Sequence, residues 1–339
     1  MIRAFGPGRV NLIGEHTDYN GGLALPFAID RGVTVEAEPL DGGEIHATAL
    51  DLGESDAFAA ADPGCADGWR AFVRGTVAEL RAAGFDVPGA HLSFTGDVPH
   101  GSGLSSSAAL EAALCLALLA VAGAEEPDRT ELAKLCSRVE NDWVGADTGL
   151  LDQLASLRCE PGAALWIDFA TLALRPVPLE LGEWRLVTLE SGAQHEHAEG
   201  GYNQRRSECR AACEALGIEQ LSAADAEAAE RLPEPLRRRA RHVLSENRRV
   251  DAMVTALETG DLEEAGRLLD ASHASLRDDY DASVSAVEET VAALTQAGAA
   301  GARMVGGGFG GSVLALLPPG AEPPDGSVAV VPGPPARLL

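Results

Sequence analysis

The stretch that most constrains the fold runs from Pro99 to Ala122. It opens with Pro99-His100-Gly101-Ser102-Gly103-Leu104-Ser105-Ser106-Ser107 and passes into Ser106–Ala122, which is strongly apolar. Its spacing predicts a helix with no solvent face, and a helix apolar all round must be buried. The longest apolar run within it, Ala112–Ala122, is too short to cross a bilayer, which takes about 20 residues. The chain therefore needs a large internal core, and its 339 residues, 46% of them hydrophobic, suffice for two domains or one large one. Residues 1–20 hold Arg3, Arg9, Glu15 and Asp18, so no apolar leader fits there, and a cytoplasmic protein that binds no membrane is expected.

Formal charge is −26, and Lys134 is the only lysine among the 26 basic residues. An acidic surface of this kind excludes nonspecific binding to nucleic acid or anionic membrane. It also repels an anionic nucleotide at long range, so a nucleotide site must supply local positive potential. Six cysteines lie at positions 65, 115, 136, 159, 209 and 213, several in apolar helical patterns, which reads as reduced, buried thiols. Cys209 and Cys213 share a helix face, but no second ligand pair follows for zinc.

Strand and helix signals alternate along the first half. Strands are predicted at Ile2–Phe5, Leu23–Ile29, Gly32–Glu38, Glu44–Ala49 and His91–Thr95, and helices at Trp69–Ala83, Ser106–Ala122 and Arg129–Val144. Further strands are expected at Ala163–Ile167, Arg185–Leu189, Ala302–Val305, Ser312–Leu317 and Val328–Val331. Helix is expected over Tyr202–Leu216 and roughly Glu234–Gln296. Both halves mix sheet and helix, so the class is α+β, with a boundary near 160–170 that divides the chain into 1–165 and 166–339.

Three distant loops are rich in glycine or charge. Gly8 to Gly22 contains Arg9, Glu15, His16, Asp18 and Asn20 within a glycine frame. A sugar hydroxyl both donates and accepts, so a sugar site needs carboxylates facing it together with Arg or His donors; an ordinary polar loop is the alternative. In Gly101 to Ser107, glycines let backbone approach a ligand, the following helix start offers unpaired N–H groups and a positive dipole end, and serines can reach a metal. A plain serine cap is the alternative, although three serines exceed what one cap needs. The segment lacks the Gly-Lys-Ser/Thr of a P-loop and the third glycine of a dinucleotide fingerprint. Gly306–Gly311 places five glycines around Phe309 between two strands, more than a tight hairpin needs. In Gly149-Leu150-Leu151-Asp152-Gln153 a single carboxylate sits in an apolar stretch, as a helix cap or a functional group, and Glu140 lies late in the preceding helix.

Together these segments resemble the GHMP small-molecule kinases, and within them the galactokinase family. Arg9 to Gly22 resembles that family's sugar-binding motif, Gly101 to Ala109 its phosphate loop and Arg303 to Gly311 its third motif. Arg241 to Val250 and Ser272 to Tyr280 are similar to galactokinases in particular. Departures are Ser102 in place of Gly or Ala, Leu151 in place of Met and Ser312 in place of Cys. The resemblance implies a two-domain GHMP kinase fold with the site between the domains. It also implies a monomer that transfers phosphate from ATP, with Mg2+, to the C1 hydroxyl of galactose. On this footing Asp152 is the base and Arg9 its neighbour, while Glu15, His16, Asp18, Gly149, Asp152 and Tyr202 contact the sugar. Gly101, Ser102, Gly103, Leu104, Ser105, Ser106 and Ser107 cradle the nucleotide phosphates, and Ser107 and Glu140 hold the metal. Alternatives are a kinase of a related sugar (N-acetylgalactosamine, arabinose or galacturonate) and a non-catalytic galactose sensor. The Arg237–Arg241 cluster reads as a solvated, salt-bridged helix face.

Overall fold

The computed structural model describes residues 1–98, 103–146, 148–193 and 198–339. Gly101 and Ser102 of the predicted phosphate cradle lie outside the described residues.

Strand β1 spans Ile2–Asn11, and β2 (Leu23–Ala24) is followed by the long β3 (Pro26–Pro39). Then come β4 (Glu44–Ala49), β5 (Glu54–Ala59), helix α1 (Trp69–Ala82) and β6 (Ala90–Gly96). The two strands predicted between 23 and 38 thus become a short β2 and a continuous β3, and β1 runs six residues beyond the predicted end at Phe5, so Arg9 is a strand residue rather than a loop residue. The extension is held by backbone pairing, with Val10 opposite Phe27 and Asn11 opposite Pro26, a long-range partner that local propensity does not reveal.

The buried helix is α2, Ser106–Val121, in which Leu114, Cys115 and Leu118 have no exposed surface. Burying each leucine contributes about 2 kcal/mol. It packs on β1 and β3, and the contact depends on glycine: a Cβ on Gly6 would lie 2.0 Å from the carbonyl oxygen of Ala109. α3 (Arg129–Arg138) is capped by Asp128, whose carboxylate accepts the N–H groups of Thr130 and Glu131. The predicted helix to Val144 is α-helical only to Arg138; Val139–Val144 is a π-helical turn, a form that often marks functional sites. α4 (Leu151–Arg158) follows.

β7 (Ala163–Asp168) and β8 (Ala173–Pro178) form a three-stranded sheet with β2. The first sheet has the order β13-β1-β3-β6-β4-β5, with β13 (Arg337–Leu338) returning the end of the chain to β1. The division at 165/166 falls inside β7. The remainder holds β9 (Arg185–Glu190), α5 (Ala198–Leu216), α6 (Ala226–Ala229), α7 (Leu236–Thr259), α8 (Leu262–Asp278), α9 (Ser285–Gln296), β10 (Gly301–Met304), β11 (Ser312–Leu317) and β12 (Val328–Ala329). Its four strands pair as β10-β11-β9-β12. The helical stretch read over 234–296 is three helices, broken at Gly260, which ends α7 in the left-handed conformation, and at the 279–284 connection. In the arginine cluster, Arg237 and Arg238 pair with Glu234 and Arg241 with Glu230 on the surface, as expected. Arg239 departs: it is 2% exposed, and its guanidinium donates to Glu208 and to the carbonyl of Asp279.

The cysteines are all free, Cys65 exposed and the other five buried. Among the described residues no helix is long and apolar enough to cross a membrane.

Candidate active site

A cavity of about 380 Å³ collects residues from both halves of the chain. Arg9 enters it from β1, Glu15, His16 and Asp18 from the loop between β1 and β2, Gly149 and Asp152 from the start of α4, Tyr202 from α5, and Gly306–Gly308 from the β10–β11 loop. Two of the three loops singled out in the sequence thus line one cavity, and the described part of the third joins it through Gly103 and Ser105, which bond to Arg9 and Asp152.

At its centre is an ion pair. Arg9 donates through Nε and Nη2 to the two oxygens of Asp152 at 2.7 and 2.8 Å, and through Nη1 to the carbonyl of Gly103 at 2.6 Å. This two-point geometry fixes the carboxylate as well as its charge. The Ser105 hydroxyl also donates to Asp152. Ser105 stands at the helix-cap position of α2, yet its side chain caps no backbone N–H, and its φ of +59° is left-handed. Asp152 lies in the first turn of α4, where Leu150 occupies the cap position. Neither the serine nor the aspartate is a plain cap. The start of α2 and the start of α4 are instead joined through one carboxylate and one arginine. The backbone N–H of Arg9 adds a bond to the carbonyl of Leu104 at 3.0 Å.

Asp18 sits beside this pair. Its carboxyl is pushed up to about 6, first by desolvation, with the nearby carboxylates of Asp152 and Glu15 adding to it. Gly149 has no room for a side chain, because a Cβ there would lie 1.7 Å from Asp18 Oδ2. Glu15 is anchored from behind: the backbone N–H of Gly306 donates to its Oε1 at 2.8 Å, and fully buried Arg303 lies 3.2 Å from the same oxygen.

His16, in a left-handed conformation with φ +61°, is held through both ring nitrogens. Nε2 lies 3.2 Å from the carbonyl oxygen of Gly307. A carbonyl only accepts, so Nε2 carries the proton and Nδ1 accepts from the Tyr19 hydroxyl at 2.8 Å. The Tyr19 oxygen then accepts from Tyr280, at 2.8 Å, and Tyr280 accepts from the thiol of Cys209, at 3.1 Å. Burial drives the imidazole down to about 3, with His242 nearby acting the same way, so this chain of bonds holds a neutral ring. His242 is a second such ring: it donates to the carbonyl of Glu15 at 3.1 Å, accepts from Ser275 at 2.9 Å and is pushed down to about 4 by burial. The ring of Tyr202 lies 5.4 Å from that of His16 at the pocket wall.

A second polar cluster lies on the other side of Asp152. Ser107 donates to Glu140 Oε1 at 2.9 Å, while Thr148 and Gln153 donate to Oε2 at 3.1 and 2.7 Å. Gln153 also donates to Glu111 at 3.2 Å. Glu140 is raised by desolvation and by Asp152, and Glu111 well above its usual range by desolvation and by Glu140. No arginine or lysine pairs with either in the described structure. Two hard oxygen donors, a hydroxyl and a carboxylate without a counter-charge, are the donor set a small divalent cation takes. Among the described residues no group of three His, Cys, Asp or Glu side chains forms a complete metal cage, so any such ion would complete its shell with other oxygens.

Of the predicted site residues within the described structure, Arg9, Glu15, His16, Asp18, Gly149, Asp152 and Tyr202 line this pocket; Gly103 and Ser105 bond to its ion pair, and Ser107 and Glu140 adjoin it through Thr148. Leu104 instead packs in a hydrophobic core cluster and lines a separate cavity. The residues the sequence reading missed are the ones behind the site pocket: Arg303, Glu246, His242, Tyr19, Gln153 and Glu111. A signal existed for Glu111, a lone acid in an otherwise apolar helix, and for Arg303, which opens the third glycine-rich segment.

Comparison with known proteins points one way. Residues 71–160 match the family model described as GHMP kinases N terminal domain, 253–326 that of GHMP kinases C terminal, and 2–39 that of the galactokinase galactose-binding signature. A galactokinase of Mycobacterium bovis (strain BCG / Pasteur 1173P2) is 46% identical over 320 residues, covering 92% of this chain and 88% of the relative. A galactokinase of Streptomyces coelicolor is 42% identical over 328 residues, covering 92% and 83%. The crystal structure of Lactococcus lactis galactokinase complexed with galactose superposes with a TM-score of 0.93 at 33% identity, over 100% of this chain and 95% of that one. A mevalonate kinase at 19% identity and a TM-score of 0.66 shares the fold.

Proposed function

The chain belongs to the galactokinase family of the GHMP kinases, and from that premise we propose that it transfers the γ-phosphoryl group of ATP to the C1 hydroxyl of galactose, giving galactose 1-phosphate and ADP. The observation that carries this reading is the ion pair of Arg9 and Asp152, set between a carboxylate-lined pocket and the start of α2. Phosphoryl transfer needs positioning and charge neutralisation more than covalent help, and the pair with its surroundings supplies both.

The roles follow from the contacts. Glu15, Asp18 and Asp152 are acceptors for sugar hydroxyls, and Gly149 leaves the space in which Asp18 can face the pocket. Tyr202 bounds it as an aromatic wall. His16 shapes the pocket through its ring, since both nitrogens already have protein partners. Asp152 accepts the proton of the attacking hydroxyl as general base. Arg9 orients that carboxylate through two hydrogen bonds, and its charge lies where negative charge builds up. The α2 start, Gly103 to Ser107, faces the phosphates with backbone N–H groups, and with Gly101 and Ser102 forms the proposed cradle. Ser107 and Glu140 would hold Mg2+. When bound, the ion would supply the positive charge that offsets the phosphates, which would also answer the repulsion expected from a chain of net charge −26. A monomer of two domains acting in the cytoplasm completes the proposal.

The test is ADP release by the purified protein across a panel of sugars. Galactose should be the preferred substrate. Preference for N-acetylgalactosamine, arabinose or galacturonate would replace the substrate, and no release with any sugar would leave a sensor.

A further inference from the structure

Gln153 is fully buried, and so is Glu111; Glu140 is 8% exposed. The Gln153 carboxamide has two N–H groups, and it directs them to two carboxylates, Glu140 Oε2 at 2.7 Å and Glu111 Oε2 at 3.2 Å. Gln153 follows Asp152 directly on α4. Successive helix residues point about 100° apart, so one rigid turn sends the proposed base toward Arg9 and the carboxamide toward Glu140. Glu111 rises from α2, the same helix that carries Ser107 one turn earlier. The four side chains thus tie α2, the π-helical turn and α4 together at the point where a metal would sit.

We propose that Gln153 and Glu111 are positioning residues for the metal-binding pair: Gln153 clamps one oxygen of Glu140 so that the other faces Ser107, and Glu111 holds the Gln153 carboxamide from behind. Neither touches the nucleotide or the sugar. The clamp occupies Oε2 from the protein side, so Oε1 alone is presented beside the Ser107 hydroxyl. It also locks the spacing between the metal ligand and Asp152, because both contacts leave the same helical turn. The inference rests on Ser107 and Glu140 being the metal pair. Partners that orient metal ligands typically contribute about 10- to 100-fold to metal affinity.

The experiment measures Mn2+ binding to the full chain with ADP by electron paramagnetic resonance, alongside the Mg2+ dependence of activity and galactose affinity by calorimetry. Glu140→Ala is the reference. Gln153→Met, close in shape but without donors, should weaken Mn2+ binding about tenfold and shift the Mg2+ titration equally, with galactose affinity within about twofold of wild type. Glu111→Leu should shift both in the same direction by less, and Glu111→Gln, which keeps an acceptor oxygen, should restore them. If Gln153→Met fails to fold, the contrast between Glu111→Leu and Glu111→Gln decides the matter. Normal Mn2+ binding in Gln153→Met, or equal binding in the two Glu111 variants, overturns the inference while leaving the Glu140 reading intact. Normal Mn2+ binding in Glu140→Ala overturns both.

Discussion

Two buried polar regions flank Asp152, and they differ in whether the protein satisfies them. Behind the sugar pocket, Glu246 accepts from the N–H of Gly14 at 3.0 Å and the Ser272 hydroxyl at 2.6 Å, and Arg249 donates to its second oxygen at 2.7 Å. Burial opposes its ionisation, yet Arg249, His242 and Arg303 outweigh that and hold it down at about 2. The His16–Tyr19–Tyr280–Cys209 chain is likewise closed. On the phosphate side, Glu140 has hydrogen bonds but, among the described residues, no cation, and burial raises it; fully buried Glu111 props Gln153 behind it and faces no ligand itself. The lesson is that buried charge alone does not mark a ligand site. A carboxylate with its counter-charge supplied from within is scaffold, whereas one held in place without a counter-charge is arranged for a partner from outside.

The sharpest test of this contrast is the carboxylate between the regions. Asp152→Asn should lower turnover by about 10²- to 10⁴-fold, the scale of a positioned acid–base group, while galactose still binds by calorimetry. Near-normal turnover would remove Asp152 from the chemistry.

Glu246→Ala should act on stability instead. Removing one partner of a buried ion pair costs about 3–5 kcal/mol, readable as a lower midpoint in urea denaturation. The sign with pH follows from its depressed value. Its contribution is present above the unfolded value of 4.5 and is lost as pH falls toward about 2, so acid should narrow the gap between wild type and variant. A variant as stable as wild type at neutral pH would break the division into scaffold and site.

For the sugar pocket, the wild type should prefer galactose over its epimer glucose by about tenfold or more in kcat/KM. A glucose hydroxyl in the wrong place leaves a buried polar group unpaired, at about 1–3 kcal/mol. Asp18→Ala should damage use of galactose far more than affinity for ATP. Equal use of the two epimers by the wild type would refute the sugar-site reading.

The smallest effect concerns the same residue and has the opposite sign to Glu246. The Asp18 carboxyl is raised from 3.8 to about 6, so the folded state holds a proton that the unfolded state has lost. Between those values its ionisation increasingly penalises folding, and above about 6 the penalty is complete. Asp18→Asn should therefore stabilise the neutral-pH protein, by about 1 kcal/mol after allowing for solvent screening at the pocket, while weakening galactose binding. In wild type, galactose affinity should fall as pH drops through about 6, and the variant should lose that dependence.

Much of this was legible along the chain. The apolar Ser106–Val121 helix, the alternating strand at 44–49, the fully buried strand at 312–317, continuously apolar from Val313, and the three loops all announce themselves by composition and period. What was not legible has a common cause. β5 (Glu54–Ala59), with only Phe58 buried, and β8 (Ala173–Pro178), with only Val177 buried, lie at sheet edges and show little of the alternation that marks a half-buried strand. β1 from Gly6 to Asn11 reads as a glycine-rich loop because its pairing with β3 and its contact with α2 both come from elsewhere in the chain.

By itself the sequence determined the residue types for the chemistry and the glycines that let backbone and ligand approach, because those depend on local side chains and local backbone freedom. Only the tertiary structure decided which carboxylates have an internal counter-charge, which tautomer each buried histidine adopts, and that Gln153 and Glu111 stand behind Glu140. Those outcomes rest on pairs 13 to more than 200 residues apart, such as Gln153 with Glu140 and Gly14 with Glu246, and burial and partnering are properties of the folded neighbourhood that no local window of the chain contains.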